Sequence, residues 1–287
     1  MPALGLSWRL DQWDREALGW NTVIVATVQL LDPGRAQHSL AVFRNWCDVH
    51  AVRLVTCRLP QNRLAECAFL EANGFRFIEL SYAPTLTQLD SFQPDPALSI
   101  EIASAADLDA IGPVTDAIRT GRFHADPYIE AGAGERRYAA WLPNALTNPA
   151  QTVLKFMEAG QIVAVMVTEA PAPHRRFWSL GLLTGPPRPR LGTRVWCTLL
   201  AAHHRDGATE VSTRISSLNV AAHNLYAKLG FRFPAPSITL HWCPGASTSP
   251  HAARDDGVGV GDVKQVMANG ECSVREDGAG QFTIGLP

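Results

Sequence analysis

One feature limits the fold of this chain more than any other: a segment that occurs twice. Residues 55–77, VTCRLPQNRLAECAFLEANGFRF, align without a gap on residues 211–233, VSTRISSLNVAAHNLYAKLGFRF, at a shift of 156 positions. Identical pairs include Val55 and Val211, Arg58 and Arg214, Ala65 and Ala221, and the Gly-Phe-Arg-Phe that closes each copy. Both copies read strand, short loop, amphipathic helix, glycine, strand. The glycine follows the last helical residue, where a left-handed C-cap favours a residue without Cβ. Two copies a domain-length apart imply a tandem α/β fold.

The flanking pattern extends the tandem reading. The first half, residues 1–97, offers a strand at 22–31 and a helix at 36–50 before the repeated unit. Residues 91–96, with Pro94 and Pro96, form a linker. The second half, 98–243, opens with a strand at 99–103. A helix at 107–119 is expected next, with Ser104 as its cap, and another at 134–142, ended by Pro143. A hairpin turns at Ala159-Gly160 between strands 152–158 and 162–170, and a strand at 177–183 precedes a helix at 192–205. A strand at 210–216, a helix at 220–229 and strands at 231–233 and 238–242 complete the half. Residues 244–287 read as a Gly/Ser/Ala/Asp-rich flexible linker followed by a small hairpin of 263–274 and 281–284.

Composition excludes several classes of function. The net charge of -2 leaves no basic excess to neutralise a nucleic-acid backbone. No apolar run is long enough to span a bilayer, and residues 1–10 lack the pattern of a signal peptide. A cytoplasmic protein is expected. The six cysteines, Cys47, Cys57, Cys67, Cys197, Cys243 and Cys272, include no C-x-x-C pair. They read as small hydrophobes in a reducing compartment. Adjacent helical histidines, His203 and His204, point in different directions, and with His223 they read as a solvated helix face. No metal is expected.

Asn219-x-x-Ala222-x-x-Leu225-Tyr226-x-Lys228-x-Gly230-Phe231 resembles the closing motif of GNAT-fold acyltransferases. The order of strand, hairpin, strand, Gly-bearing loop and helix upstream matches that fold. The resemblance covers roughly residues 99–242, with a degenerate copy in the first half. Three further segments resemble the dTDP-fucosamine (dTDP-4-amino-4,6-dideoxygalactose) N-acetyltransferase group. They are Trp13-Asp14 with Gly19, where Leu18 stands in for an aromatic, Arg122-Phe123, and Tyr138-x-x-Trp141-x-x-Asn144.

The resemblance implies acyl transfer from acetyl-coenzyme A or another acyl-coenzyme A to a primary amine. It makes Tyr226 the general acid that protonates the leaving thiolate; Leu70 holds the equivalent place in the first half. Asn219, replaced there by Arg63, would bond the pantetheine arm beside Ala222. Backbone N–H groups near Leu182, Leu183 and Thr184 would meet the thioester carbonyl. The pyrophosphate would sit at a helix start around Leu191, Gly192 and Thr193, where free N–H groups favour anions. The family's glycine-rich loop is here Pro187-Arg188-Pro189-Arg190-Leu191-Gly192, which keeps only Gly192. Either Arg188 and Arg190 grip phosphates through their side chains, or the loop takes an acyl-carrier arm, or it is a stiff basic surface.

On the acceptor side Arg122 is a candidate phosphate clamp, with Phe123, Tyr128 and Trp141 facing a sugar or base. His124 and Asp126 are the nearest candidate bases; the alternative is proton loss to water. Three readings follow. The first is an acyl-coenzyme A enzyme acting on a nucleotide-linked amino sugar. The second is a carrier-protein-dependent enzyme acting on a peptide or natural-product amine. The third is a catalytically silent binding module. A small-molecule amine is the partner in the first; an acyl carrier protein and a second copy of the chain are the other partners considered.

Overall fold

A computed structural model describes residues 3–245 and 274–284. In chain order the elements are β1 (Leu4–Leu10), α1 (Gln12–Leu18), β2 (Asn21–Leu30), α2 (Ala36–Val49), β3 (Val52–Pro60), α3 (Leu64–Ala72), β4 (Arg76–Tyr82) and β5 (Thr85–Leu86). There follow β6 (Ser99–Ile102), α4 (Leu108–Ile111), α5 (Arg122–Ala125), α6 (Ala133–Ala139), α7 (Trp141–Thr147), β7 (Gln151–Glu158), β8 (Gln161–Ala172) and β9 (Arg175–Leu183). The remainder is α8 (Leu191–Arg205), β10 (Glu210–Thr213), β11 (Ile215–Ser216), α9 (Val220–Lys228), β12 (Ser237–Trp242), β13 (Arg275–Glu276) and β14 (Gln281–Ile284). Among the described residues no helix is long and apolar enough to cross a membrane.

The chain forms two compact units. One comprises Met1–Glu79, Ala125–Glu130 and Ser237–Pro287, and the other Leu80–His124 and Ala131–Pro236. In the first, the sheet order is β4-β12-β3-β2-β1-β14-β13, with β2 and β3 parallel. The strand expected at 238–242 forms, but it pairs antiparallel with β3 rather than completing the second half's sheet. The core packs Trp8 edge-on against Phe43 and Trp46 at 4.8 and 5.5 Å. On α2, Ala36, Ser39, Leu40, Phe43, Trp46 and Cys47 are buried, a stripe at i, i+3, i+4 spacing that faces the sheet. Cys47 and Cys57 lie in this core, and burial pushes the Cys57 thiol up to about 12, so both act as small apolar groups. β14 adds Ile284 to the same core; of the tail strand expected at 263–274, all but Val274 lies outside the described residues.

In the second unit the sheet order is β5-β10-β9-β8-β7-β6, with β9 and β10 parallel. β8 is apolar on both faces. Ala164 and Met166 join a core with α8 and α9, while Val165 and Val167 join another with Ile111, Leu142 and Ala145. Both repeat glycines adopt the expected left-handed conformation, with φ +81 at Gly74 and +86 at Gly230.

Four local expectations change. The strand expected at 231–233 forms only an isolated bridge, Arg232 with Thr85. The helix expected at 107–119 breaks into short helical turns, because Gly112-Pro113 interrupts it and Pro113 offers no N–H to an i−4 carbonyl. Pro143 does not end a helix but lies in the first turn of α7, where a missing N–H costs nothing. His203 is not solvated. It is 5% exposed, and its Nε2 accepts the Trp178 indole N–H at 3.1 Å.

Burial pushes the His203 pKa down to about 4, with Arg176 acting in the same direction. The unfolded chain, titrating near 6.5, binds the proton first, so stability is lost as pH falls from 6.5 towards 4, by about 3 kcal/mol in full. Denaturant unfolding at pH 7 and pH 5 should show about 2 kcal/mol more acid loss in the wild type than in His203→Gln. Equal losses would contradict this assignment.

Candidate functional site

The candidate site begins where two parallel strands part. β9 and β10 pair from Arg175 with Glu210 to Trp178 with Thr213, and there the pairing stops. β9 runs on to Leu183 with β8 alone as its partner. At the point of departure Ser179 is an extra residue in the β8–β9 register, a bulge that bends β9 away. The first unit repeats this geometry. The last β2–β3 pair is Val25 with Cys57, and Ala26 is the extra residue against β1.

Two hydrogen bonds fix the correspondence between the copies. Leu31 N–H donates to the Ala3 carbonyl in the first unit, and Thr184 N–H donates to the Val163 carbonyl in the second, at 2.9 and 3.0 Å. Leu30 therefore matches Leu183, and Val28 matches Gly181. Strand alternation turns the Leu183 N–H and the Gly181 carbonyl towards the parting, whereas the Thr184 N–H is spent on β8 and the Leu182 N–H faces the same way.

The first unit shows what such an edge requires. Arg63 donates to the Val28 carbonyl at 3.3 Å, Glu66 accepts the Leu30 N–H at 3.4 Å, and the two side chains bond each other at 2.6 Å. Burial favours the neutral Glu66 acid, but its hydrogen bonds and Arg63 outweigh it, and the carboxyl is held below its usual range. At the matching places of the second unit stand Asn219 and Ala222. Asn219 caps α9 by accepting the Ala222 N–H at 3.0 Å, and Ala222 carries only a methyl. Among the described residues, no side chain stands in for the Arg63–Glu66 pair.

Tyr226, on α9, is 5% exposed and lies at the same fork, its ring against Trp178 and Phe231 at 6.2 and 4.9 Å. Burial pushes its phenol up; Trp196 and Thr213 pull in the opposite direction. Gly181 makes the fork this tight: a Cβ there would stand 2.7 Å from Met166 Sδ and 2.8 Å from Trp196 Cζ2.

Leu191, Gly192 and Thr193 form the first turn of α8, and no side chain caps it. Arg190, at the N-cap, adopts φ 60, a left-handed conformation that favours glycine. Arg188 is ion-paired to Glu158, which also meets Arg194 at 2.6 Å; Arg194 reaches Asp95 at 2.5 Å. Both arginines hold Glu158 below the usual carboxylate range. Nothing local in the sequence marks this carboxylate, which sits at the end of β7, 30 residues from Arg188.

The acceptor candidates separate. Phe123, His124 and Trp141 come together in the second unit. His124 stacks on Tyr138 at 5.4 Å and Tyr138 on Trp141 at 5.6 Å, while Arg122 and Arg137 lie over Phe123 at 4.8 and 4.7 Å. Glu135 approaches His124 at 3.8 Å. Asp126 and Tyr128 belong to the first unit. There Asp126 pairs with fully buried His241 at 2.8 Å, and Arg76 lies over the Tyr128 ring at 3.7 Å. Burial pushes the Asp126 carboxyl up, but His241, the Tyr128 N–H and Arg76 together bring it below its ordinary range. His241 lies 115 positions along the sequence from Asp126, and nothing local in the sequence marks it as a site residue.

No family model and no curated protein matches the sequence. Solved structures do resemble the fold. A GCN5-related N-acetyltransferase from Sphaerobacter thermophilus is 15% identical with a TM-score of 0.55, over 84% of this chain and 78% of that one. Another from Kribbella flavida is 17% identical at 0.52, over 79% and 82%. A tandem GNAT protein from the clavulanic acid biosynthesis pathway is 14% identical at 0.53, over 79% and 76%. The chain has the GNAT fold, in tandem.

Left-handed backbone at a non-glycine residue costs about 1–3 kcal/mol. Arg190→Gly should therefore keep or raise the stability, by up to about 1 kcal/mol, in denaturant unfolding. A loss of comparable size would show that the Arg190 side chain holds the loop.

Proposed function

We propose that the second unit is an N-acyltransferase that moves an acyl group from a pantetheine thioester, carried by acetyl- or another acyl-coenzyme A, to a primary amine. The observation that carries this reading is the contrast at the fork. The first unit meets its strand edge with one donor, Arg63, and one acceptor, Glu66. An amide in an extended arm supplies the same two groups, and pantetheine is such an arm. In the second unit the Leu183 N–H and Gly181 carbonyl offer that pairing, and Ala222 leaves room where Glu66 would project.

The chemistry then falls to residues at the fork. Attack by the neutral amine builds charge on the thioester oxygen, and collapse expels the thiolate. Tyr226 gives its proton to that sulfur. On the acceptor side, the stacked rings of His124, Tyr138 and Trp141, with Arg122 and Arg137, suit a planar base and a phosphate, which supports a nucleotide-linked amino sugar. His124 is the base nearest these rings; loss of the amine proton to water needs none.

One observation favours a second donor. Glu158 and Asp95 already neutralise Arg188 and Arg194 beside the first turn of α8. A phosphopantetheine arm on a carrier protein, with a single phosphodiester, asks less positive charge of this loop than coenzyme A does.

Acetyl-coenzyme A should raise the thermal midpoint of the protein. A shift with acetylated holo carrier protein alone would establish the second donor, and no shift with either would remove the acyl-transfer reading. In a thiol-release assay with dTDP-4-amino-4,6-dideoxygalactose and simple primary amines, Tyr226→Phe should lose about 100-fold or more in kcat. Full turnover by that variant would remove the general acid. Gly192→Ala, whose Cβ would meet only Leu183 and Leu225 at 3.7 Å, should fold normally yet weaken donor binding.

A further inference from the structure

Trp196 lies inside α8 and is 5% exposed. Its ring is wedged under Gly181 so closely that a Cβ there would collide with Cζ2. Its indole N–H is buried, and among the described residues no acceptor meets it in hydrogen-bonding geometry. A buried donor left this way costs about 1–3 kcal/mol, and such groups are rare enough in folded proteins to demand a reason.

Tyr226 provides one. Trp196 and Tyr226 line one buried core, and the Trp196 side chain favours the ionised form of the phenol. The Thr213 hydroxyl proton is already committed, donated to the Trp178 carbonyl at 2.8 Å. Once Tyr226 loses its proton, the indole N–H is the remaining donor for the phenolate oxygen.

We propose that Trp196 is a positioning residue for proton transfer from Tyr226, holding the hydroxyl at the fork and donating its indole N–H to the phenolate that forms. The inference rests on the acyl-transfer reading of the second unit. As the amide C–N bond forms and the C–S bond breaks, the Tyr226 proton passes to the departing sulfur. The proton shed by the attacking nitrogen restores the phenol, so no further reactant is needed. Of the titratable and charged groups on the elements around Tyr226, His203 lies behind Trp178 and is held neutral at ordinary pH. Arg176 acts on His203, and Cys197 on α8 faces Lys228 on α9. None of these takes the place of the indole donor.

The test is the pH dependence of acetyl transfer from acetyl-coenzyme A to a primary amine by wild type and Trp196→Phe. The variant should lose about 10- to 100-fold in kcat with the KM for acetyl-coenzyme A within about twofold. Its alkaline limb should move to higher pH, because the phenolate has lost its donor. A wild-type alkaline limb, with only a lower thermal midpoint, would reduce Trp196 to a packing residue and overturn the proposal. A second readout needs neither turnover nor a Trp196 variant. The nitrogen-labelled Trp196 indole signal should shift along the titration of Tyr226 and stay still in Tyr226→Phe. An unmoved signal in the wild type overturns the proposal even if the enzyme turns over. Absence of turnover in the wild type with a moving signal would instead remove the acyl-transfer reading and leave the contact standing.

Discussion

A strand edge inside a folded protein must find partners for its N–H and C=O groups, and the rest of this structure follows from how that demand is met twice. In each unit two parallel strands run together for a few residues and then part at a one-residue bulge. The parting exposes one carbonyl and one N–H. In the first unit the helix that follows supplies Arg63 and Glu66, and the edge closes on its own chain. In the second unit the same helix positions hold a cap and a methyl, which leaves the edge to the amide-bearing arm of the proposed donor.

Packing behind the fork is correspondingly close. Gly181 brings Met166 and Trp196 against the strand, Trp178 sits on the last parallel pair, and Tyr226 fills the angle between them. Leu70 takes the Tyr226 place in the first unit, 1% exposed, so the fold itself does not need a phenol there. The hydroxyl of Tyr226 is therefore an addition to the packing. His203, neutral and hydrogen-bonded to Trp178, ties the rear of this core to acid stability.

Much of this was legible in the sequence, because the repeat carries its information locally. The helix periodicity, the left-handed glycines Gly74 and Gly230 and the Tyr226–Leu70 contrast all follow from residue order alone. Other features were not legible, each for a physical reason. Arg63, the N-cap of α3, and Glu66 in its first turn stand three apart, and nothing local reveals that they face a strand edge. Glu158 meets Arg188 only because the β7–β8 hairpin and the loop before α8 come together in the fold. Asp126 finds His241 across 115 positions, and the strand bearing His241 pairs in the first sheet although it follows the second repeat. Non-local pairing of this kind leaves no trace in propensity or spacing.

The account is tested most directly by moving the first unit's plug into the second. Asn219→Arg with Ala222→Glu places the same donor and acceptor at the fork of β9 and β10. Calorimetric titration with acetyl-coenzyme A, or with acetylated holo carrier protein should only that bind the wild type, should show one site per chain in the wild type and none in the folded double variant. Unchanged binding by that variant would mean that the parted strands do not hold the donor.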